Sequence, residues 1–257
     1  MQIGWCAPLA KATLLKAIGY DYIEVPLAAF GLEDAASVGA AATALANCPL
    51  PTPAFGYFLP RDMQIVGPDV GTARVRNYLA HAAQLMQLSG GRVIAFGSGW
   101  ARTAPPDWPR ARTEQQLIEF LSLAADAFAG SGAVVAIEPQ NRKEAGTINH
   151  LADALQMART SNRPEIGLMA DFYHMDEEHD PLHSLSELNG LLVHMHTADT
   201  YRLSPGTGQY DYGSFLKALG SCGYGGRLSV ECMVEIPEDE MRRSLAFLRQ
   251  RCAEAGL

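Results

Sequence analysis

Several things are missing from this 257-residue chain, and each absence removes a class of protein. There is no run of roughly 18 apolar residues, the length a helix needs to cross a bilayer, so no membrane span is expected. The five cysteines, Cys6, Cys48, Cys222, Cys232 and Cys252, are odd in number and scattered, without a CxxC pair. That argues against a disulfide framework and a thiolate zinc site, and for a reducing cytoplasm. Positive charge is short: 20 Lys and Arg stand against 28 Asp and Glu, a formal net charge of −8. Such a chain has no electrostatic footprint for a phosphate backbone, so nucleic acid is not the expected partner. The first residues, Met1 to Cys6, read directly as a strand, without the basic stretch, apolar core and cleavage site of a signal peptide. No GxGxxG follows that strand, which leaves a dinucleotide-binding open sheet without its phosphate fingerprint.

What the chain does have is alternation. Short β-rich runs occur at Ile3–Cys6, Tyr22–Leu27, Pro53–Phe58, Arg92–Gly97, Val134–Pro139, Ile166–Asp171, Leu191–Thr197 and Arg227–Met233. Helical patterns lie between and after them, at Leu9–Ile18, Leu32–Ala46, Asp69–Leu88, Thr113–Ala129, Asn149–Arg159, Pro181–Leu188, Tyr212–Ser221 and Glu238–Ala253. Eight of each within about 250 residues is the pattern of an α/β protein, a closed (β/α)8 TIM barrel. No repeat, low-complexity tract or linker interrupts it, so residues 1–257 are expected to form a single domain. Two long loops, Leu59–Pro68 and Trp100–Arg112, leave the C-terminal ends of strands three and four. They are candidates for a lid or a subunit contact, and their apolar content suggests a homo-oligomer.

Side-chain parity then locates a site. In the fifth strand Val135, Ile137 and Pro139 share one face, and Val134, Ala136 and Glu138 the other. In the eighth, Leu228, Val230 and Cys232 share a face opposite Arg227, Ser229 and Glu231. The all-apolar set suits the layer beneath the helices, and the mixed set suits the barrel interior. On this count Glu138, Asp171, His196 and Glu231 point inward near the C-terminal ends of strands five to eight, where barrels of this kind keep their chemistry. Neighbouring strands are about 4.8 Å apart, so four such ends can converge on one ion. Three carboxylates and an imidazole form an oxygen-rich site, suited to Mn²⁺, Mg²⁺ or Co²⁺ ahead of structural Zn²⁺. Clustered carboxylates repel one another unless a cation sits among them.

Other polar residues admit two readings each. His194 is either an alternative ligand or a core histidine one layer below. Asp199 either orients His196 or caps the following turn. Glu24 is an interior hydrogen-bonded carboxylate or a substrate contact. Gly97-Ser-Gly99 with Arg102 is a phosphate cradle or a glycine-rich turn, and Trp100 and Trp108 wall a pocket or an interface.

Four segments carry a family likeness: Ala136-Ile-Glu-Pro-Gln-Asn-Arg142, Ala170-Asp-Phe-Tyr-His-Met175, His194-Met-His-Thr-Ala-Asp199 with Arg202 and Pro205-Gly-Thr-Gly208, and Ser229-Val-Glu-Cys232. Together they resemble the xylose-isomerase-like superfamily, especially its ketose 3-epimerase and hydroxypyruvate isomerase branch. The likeness is ordered over residues 132–235 and weaker before, where it rests on Gly19-Tyr-Asp-Tyr-Ile-Glu-Val25. It implies one divalent metal, Mn²⁺ first, on Glu138, Asp171, His196 and Glu231, and substrate contacts from Glu144, His174 and Arg202. It further implies a sugar or small hydroxy-ketone substrate, with proton transfer through a metal-stabilised enediolate. Glu138 and Glu231 are the expected acid–base pair. C3 epimerisation is the first expectation. Aldose–ketose isomerisation and dehydration of a keto-inositol are alternatives, and a non-catalytic sugar-binding barrel is a third. The loop Phe96–Arg102 departs from the pattern, so which sugar or hydroxy-ketone is the substrate is not implied.

Overall fold

The computed structural model describes residues 1–188, 190–232 and 236–257. Each β-rich run supplies one strand: β1 (Gln2–Cys6), β2 (Tyr22–Pro26), β3 (Ala54–Gly56), β4 (Val93–Phe96), β5 (Val134–Ile137), β6 (Ile166–Asp171), β7 (Leu192–Thr197) and β8 (Arg227–Val230). All neighbours pair in parallel in sequence order, and β8 pairs with β1 to close the barrel. β3 is shorter than its apolar run because Tyr57 takes a φ of +44°, which ends the extended chain. β8 stops at Val230; Met233, the last residue of the expected strand, lies outside the described residues.

The helices are α1 (Ala12–Ile18), α2 (Ala35–Ala46), α3 (Thr72–Ser89), α4 (Gly99–Arg102), α5 (Arg110–Phe128), α6 (Leu151–Ser161), α7 (Phe172–Glu177), α8 (Tyr212–Ser221) and α9 (Glu238–Glu254). Two departures from the sequence reading have local causes. The segment Leu182–Leu188 winds as a 3-10 helix, not an α-helix. Ser184 and Ser186 return their hydroxyls to the carbonyls of Pro181 and His183, each three residues back, which suits the tighter winding. The six-residue α7 is an addition. It starts because Asp171, at the end of β6, accepts the Tyr173 N–H at 2.9 Å and caps the turn.

The apolar residues divide into two layers, as the parity requires. Ile23, Val25, Phe55, Ile94, Val135, Ile137, Leu228 and Val230 pack outward beneath the helices. A smaller set, Tyr22, Ala54, Val93, Ala95, Ala136 and Met169, fills the barrel interior below the site. Above the outer layer, Phe58 packs against Phe96 at 6.2 Å and against Tyr78, Phe120 and Phe128 at similar distances. This aromatic cluster anchors the start of the loop after β3. The two long loops are also tied to each other. Ile65 N–H donates to Ala101 O at 2.9 Å, and Leu59 N–H to Ser98 Oγ at 3.2 Å. The chain that follows β3 and β4 is therefore one packed wall. None of the described helices is long and apolar enough to cross a membrane.

Candidate metal centre and active site

The four expected ligands meet at the C-terminal mouth of the barrel. Glu138 and Glu231 follow directly on the last residues of β5 and β8, Asp171 ends β6, and His196 is the penultimate residue of β7. One oxygen or nitrogen from each lies within 4.8 Å of the others. His196 Nδ1 is 3.4 Å from Glu138 Oε1 and 3.5 Å from Glu231 Oε2, so the imidazole sits between the two glutamates. Three of the atoms, Glu138 Oε1, Asp171 Oδ2 and His196 Nδ1, are buried and have no hydrogen-bond partner. A buried polar atom without a partner is costly, and here three of them face one point.

The tautomer of His196 is set from below. Glu24, fully buried on β2, accepts Nε2–H of His196 at 2.9 Å and Nε2–H of His194 at 2.7 Å. Ser229 donates to the same carboxylate at 2.6 Å and is itself 2.8 Å from the Tyr22 hydroxyl. Burial opposes ionisation of Glu24, but His196 and His194 outweigh it and hold the carboxyl well below its usual range. Burial opposes the charge on His196, but Glu24 and its other neighbours hold it well above the usual imidazole range. With Nε2 committed to Glu24, Nδ1 is the nitrogen that faces the other three groups, where a bound cation would replace its proton.

The carboxyls of the cluster are pulled apart in acidity. Burial, reinforced by Glu138 and Glu231, pushes Asp171 up to about 7. Burial acts the same way on Glu231, yet His196 and Arg202 overcome it and bring this carboxyl down to about 2. Four acid and imidazole groups crowded in this way fit a divalent cation through their donor chemistry.

The three residues expected at the substrate lie on the rim of the same cavity or just beneath it. Arg202 donates Nε and Nη2 to the two oxygens of Glu144 at 3.2 and 2.9 Å, and Nη1 to Glu231 Oε2 at 3.2 Å. It is presented by a tight turn in which both Tyr201 and Arg202 have positive φ, +60° and +57°. Two non-glycine residues held there are strained, the kind of backbone that clusters at functional sites. His174, on α7, is buried, and its Nδ1 accepts from the Asn141 backbone N–H at 3.2 Å. Burial and the Arg202 charge push its pKa well below the usual imidazole range, so it is neutral. Its Nε2 lies 3.0 Å from Arg202 Nη2.

Space for a ligand is made by glycine. A Cβ on Gly97, at the end of β4, would lie 2.2 Å from Glu138 Oε2, so no side chain fits there. The resulting cavity, about 390 Å³, is lined by Glu138, His196, Glu231, Glu144 and Arg202, and by Tyr57, Arg61 and Trp100 from the chain that follows β3 and β4.

Comparison with known proteins agrees with this geometry. The family model described as xylose isomerase-like TIM barrel matches residues 12–251. The chain belongs to that family. The 3-dehydro-D-guloside 4-epimerase of Escherichia coli (strain K12) is 32% identical over 169 residues, 62% of this chain and 64% of that protein. The ketose 3-epimerase of Arthrobacter globiformis is 35% identical over 132 residues, 51% of this chain and 46% of that protein. The match therefore covers less than two thirds of either relative. The crystal structure of a 3-keto-D-glucoside 4-epimerase from E. coli superposes with a TM-score of 0.82 at 26% identity, covering 97% of this chain and 99% of that one.

Within this xylose isomerase-like barrel the ambiguous residues resolve. His194 is a core histidine one layer below the cluster, as its place two residues before His196 suggested. Asp199 caps its own turn, accepting from Thr200, Gly206 and Tyr210 N–H groups, and the residue that orients His196 is Glu24. Parity put Glu24 inside the barrel but did not say that β2 faces β7 across it. Arg102 makes no phosphate cradle: it is completely buried and donates to the carbonyls of Glu138 at 2.8 Å and Phe96 at 3.3 Å. Burial lowers this guanidinium to about 10. Its role is to grip the backbone that carries Glu138, and nothing in its sequence neighbourhood announces that. Trp100 walls the cavity, while Trp108 lies in a separate groove against α5 and α6.

Proposed function

We propose that the protein is a divalent-metal-dependent sugar epimerase that inverts the carbon beside a ketone, C3 of a ketose, by proton transfer between Glu138 and Glu231. The observation that carries this reading is the convergence of the buried, unpartnered Glu138 Oε1, Asp171 Oδ2 and His196 Nδ1, with Glu231, on one point. Glu138, Asp171, His196 and Glu231 would hold the ion, and their hard donor set suits Mn²⁺ first, then Mg²⁺ or Co²⁺, with Zn²⁺ compatible. When bound, such an ion supplies Lewis-acid stabilisation of the negative charge left as a proton departs beside a carbonyl.

The chain's own groups supply the rest. Glu138 and Glu231 flank His196 from β5 and β8, so a carbon seated between them is approached by a carboxylate from two sides. One carboxylate removes the proton, and the other, protonated, returns one to the opposite face, which inverts the centre. Return to the neighbouring carbon would instead interconvert aldose and ketose; the two-sided arrangement favours inversion. His174 and Arg202, in contact with each other, would bind a substrate oxygen as a pair, and Arg202 would offset developing negative charge. Glu144, bidentate on Arg202, fixes the orientation of that guanidinium.

The relatives' names, a ketose 3-epimerase and a 3-dehydro-D-guloside 4-epimerase, support inversion beside a ketone. The second name also supports an alternative placement, C4 of a sugar oxidised at C3, with the same proton chemistry. The test is solvent-deuterium incorporation into D-fructose and into a 3-keto-glucoside, followed by NMR, with Mn²⁺ and after chelation. Deuterium on the carbon beside the ketone, an epimer of equal mass and loss of both on chelation are expected. The reading fails if metal-loaded protein exchanges no such proton and Glu138→Gln behaves identically. A product lighter by one water would replace it with a dehydratase.

A further inference from the structure

The cavity wall that follows β3 and β4 carries Tyr57, Arg61 and Trp100. We infer that this wall is an anion-recognition subsite, in which Arg61 binds a phosphate or carboxylate group at the far end of the ketose. The inference deepens the proposed function and rests on it in one respect, that the cavity takes a ketose.

Four observations carry it. First, the Arg61 guanidinium lies 4.0 Å from the centre of the Trp100 ring, over its face. A guanidinium held on an aromatic face keeps its N–H donors at its edge, the geometry that suits a two-oxygen anion. Second, that platform is itself held in place. Trp100 Nε1–H donates to Pro60 O at 3.2 Å, and the Tyr57 ring stacks on Trp100 with centroids 6.0 Å apart and planes 25° from parallel. Tyr57 does so at a φ of +44°, a strained conformation for a non-glycine residue, and remains 44% exposed toward the opening. Third, among the described residues Arg61 forms no ion pair with any carboxylate, so its charge is not spent within the chain. Fourth, the other cation of the cavity, Arg202, is paired with Glu144 and Glu231 beside the acidic cluster. A neutral sugar would need neither a second cation nor its stacked support. An anionic group placed away from the carboxylates and against Arg61 would use both.

The chemistry shared by the two sources is a terminal oxyanion on a small ketose. The experiment is calorimetric binding to the Mn²⁺-loaded protein of D-fructose, D-fructose 6-phosphate and D-fructuronate, in the wild type and in Arg61→Gln and Arg61→Lys. Arg61 is exposed, so neither substitution disturbs the core. The expected result is that one anionic ketose binds about tenfold to a hundredfold tighter than D-fructose, the worth of a charge-assisted contact. Arg61→Gln should erase that preference and Arg61→Lys should keep part of it, since the charge remains but the fork is lost. Preference for the 6-phosphate identifies a phosphate site, and preference for the uronate a carboxylate site. The inference is overturned if neither anion binds tighter than D-fructose. It is equally overturned if the preference survives Arg61→Gln, because the anion then sits on the metal. Affinity is read from the heat of binding and compared between ligands, so a failure of anion preference is distinguishable from a failure of deuterium exchange.

Discussion

The two halves of the barrel end in different chemistry. At the mouth, β5 to β8 lead into Glu138, Asp171, His196 and Glu231, four groups aimed at one another. At the mouth, the inward positions that end β3 and follow β4 are glycines: a Cβ on Gly97 would collide with Glu138, and one on Gly56 would press on Glu24 at 3.2 Å. β2 contributes Glu24 one layer lower, where it orients His196 without reaching the cluster directly. One half thus supplies the four converging groups, and the other supplies the room, the support and the wall with Tyr57, Arg61 and Trp100. In a closed ring each strand end faces the ones opposite, so reactive groups can crowd on one side only if the other side gives way.

Substitutions can break this comparison. The largest effect is expected at the reactive half. Glu138→Gln or Glu231→Gln should slow deuterium exchange into the substrate by about 10³-fold, within the range of lost acid–base catalysis. Retention of more than a tenth of the wild-type rate would remove that residue from the proton transfer. On the accommodating half, Gly97→Ala should cost about 10²-fold in the same assay, because the added carbon displaces the Glu138 carboxylate. A near-normal rate would mean that Glu138 can move aside freely. Glu24→Gln should weaken Mn²⁺ binding by roughly 10–100-fold, as loss of an outer-shell partner does, and titration calorimetry would register it. An unchanged affinity would reduce Glu24 to a packing role.

A smaller effect concerns pH. In the metal-free protein burial raises the Asp171 carboxyl to about 7, against about 3.9 in an unfolded chain. Between these values the folded state holds a proton that the unfolded chain has lost, so stability falls as pH rises from about 4 to 7, by at most about 4 kcal/mol. A bound cation takes the carboxylate as a ligand and removes that penalty. The rise in Tm on adding Mn²⁺ should therefore be larger at pH 7.5 than at pH 5, by thermal unfolding with and without chelator. Equal rises at both pH values would take Asp171 out of the ligand set.

Much of this was legible in the chain itself. Strand parity alone set Glu138 apart from Ile137, and His196 from Met195, because successive side chains on a strand must face opposite ways. The eightfold alternation of strand and helix then left a closed barrel as the natural way to bury every apolar face. Local signals failed where long-range partners decide. The 3-10 winding of Leu182–Leu188 and the short α7 are set by hydroxyl and carboxylate caps that compete with the apolar period. Asp199, three residues on, is the carboxylate the sequence offers for orienting His196, and no local signal points to Glu24 in that role.

The sequence by itself determined which four groups share the inner face at the strand ends, because the two-residue period of a strand is a local property. Only the tertiary structure decided what supports and surrounds them. Glu24 reaches His196 across 172 residues, Arg102 grips the carbonyl of Glu138 across 36, and Arg61 meets Trp100 across the joined loops after β3 and β4. These pairings depend on ring closure and on loop packing, which bring together residues that no periodicity relates.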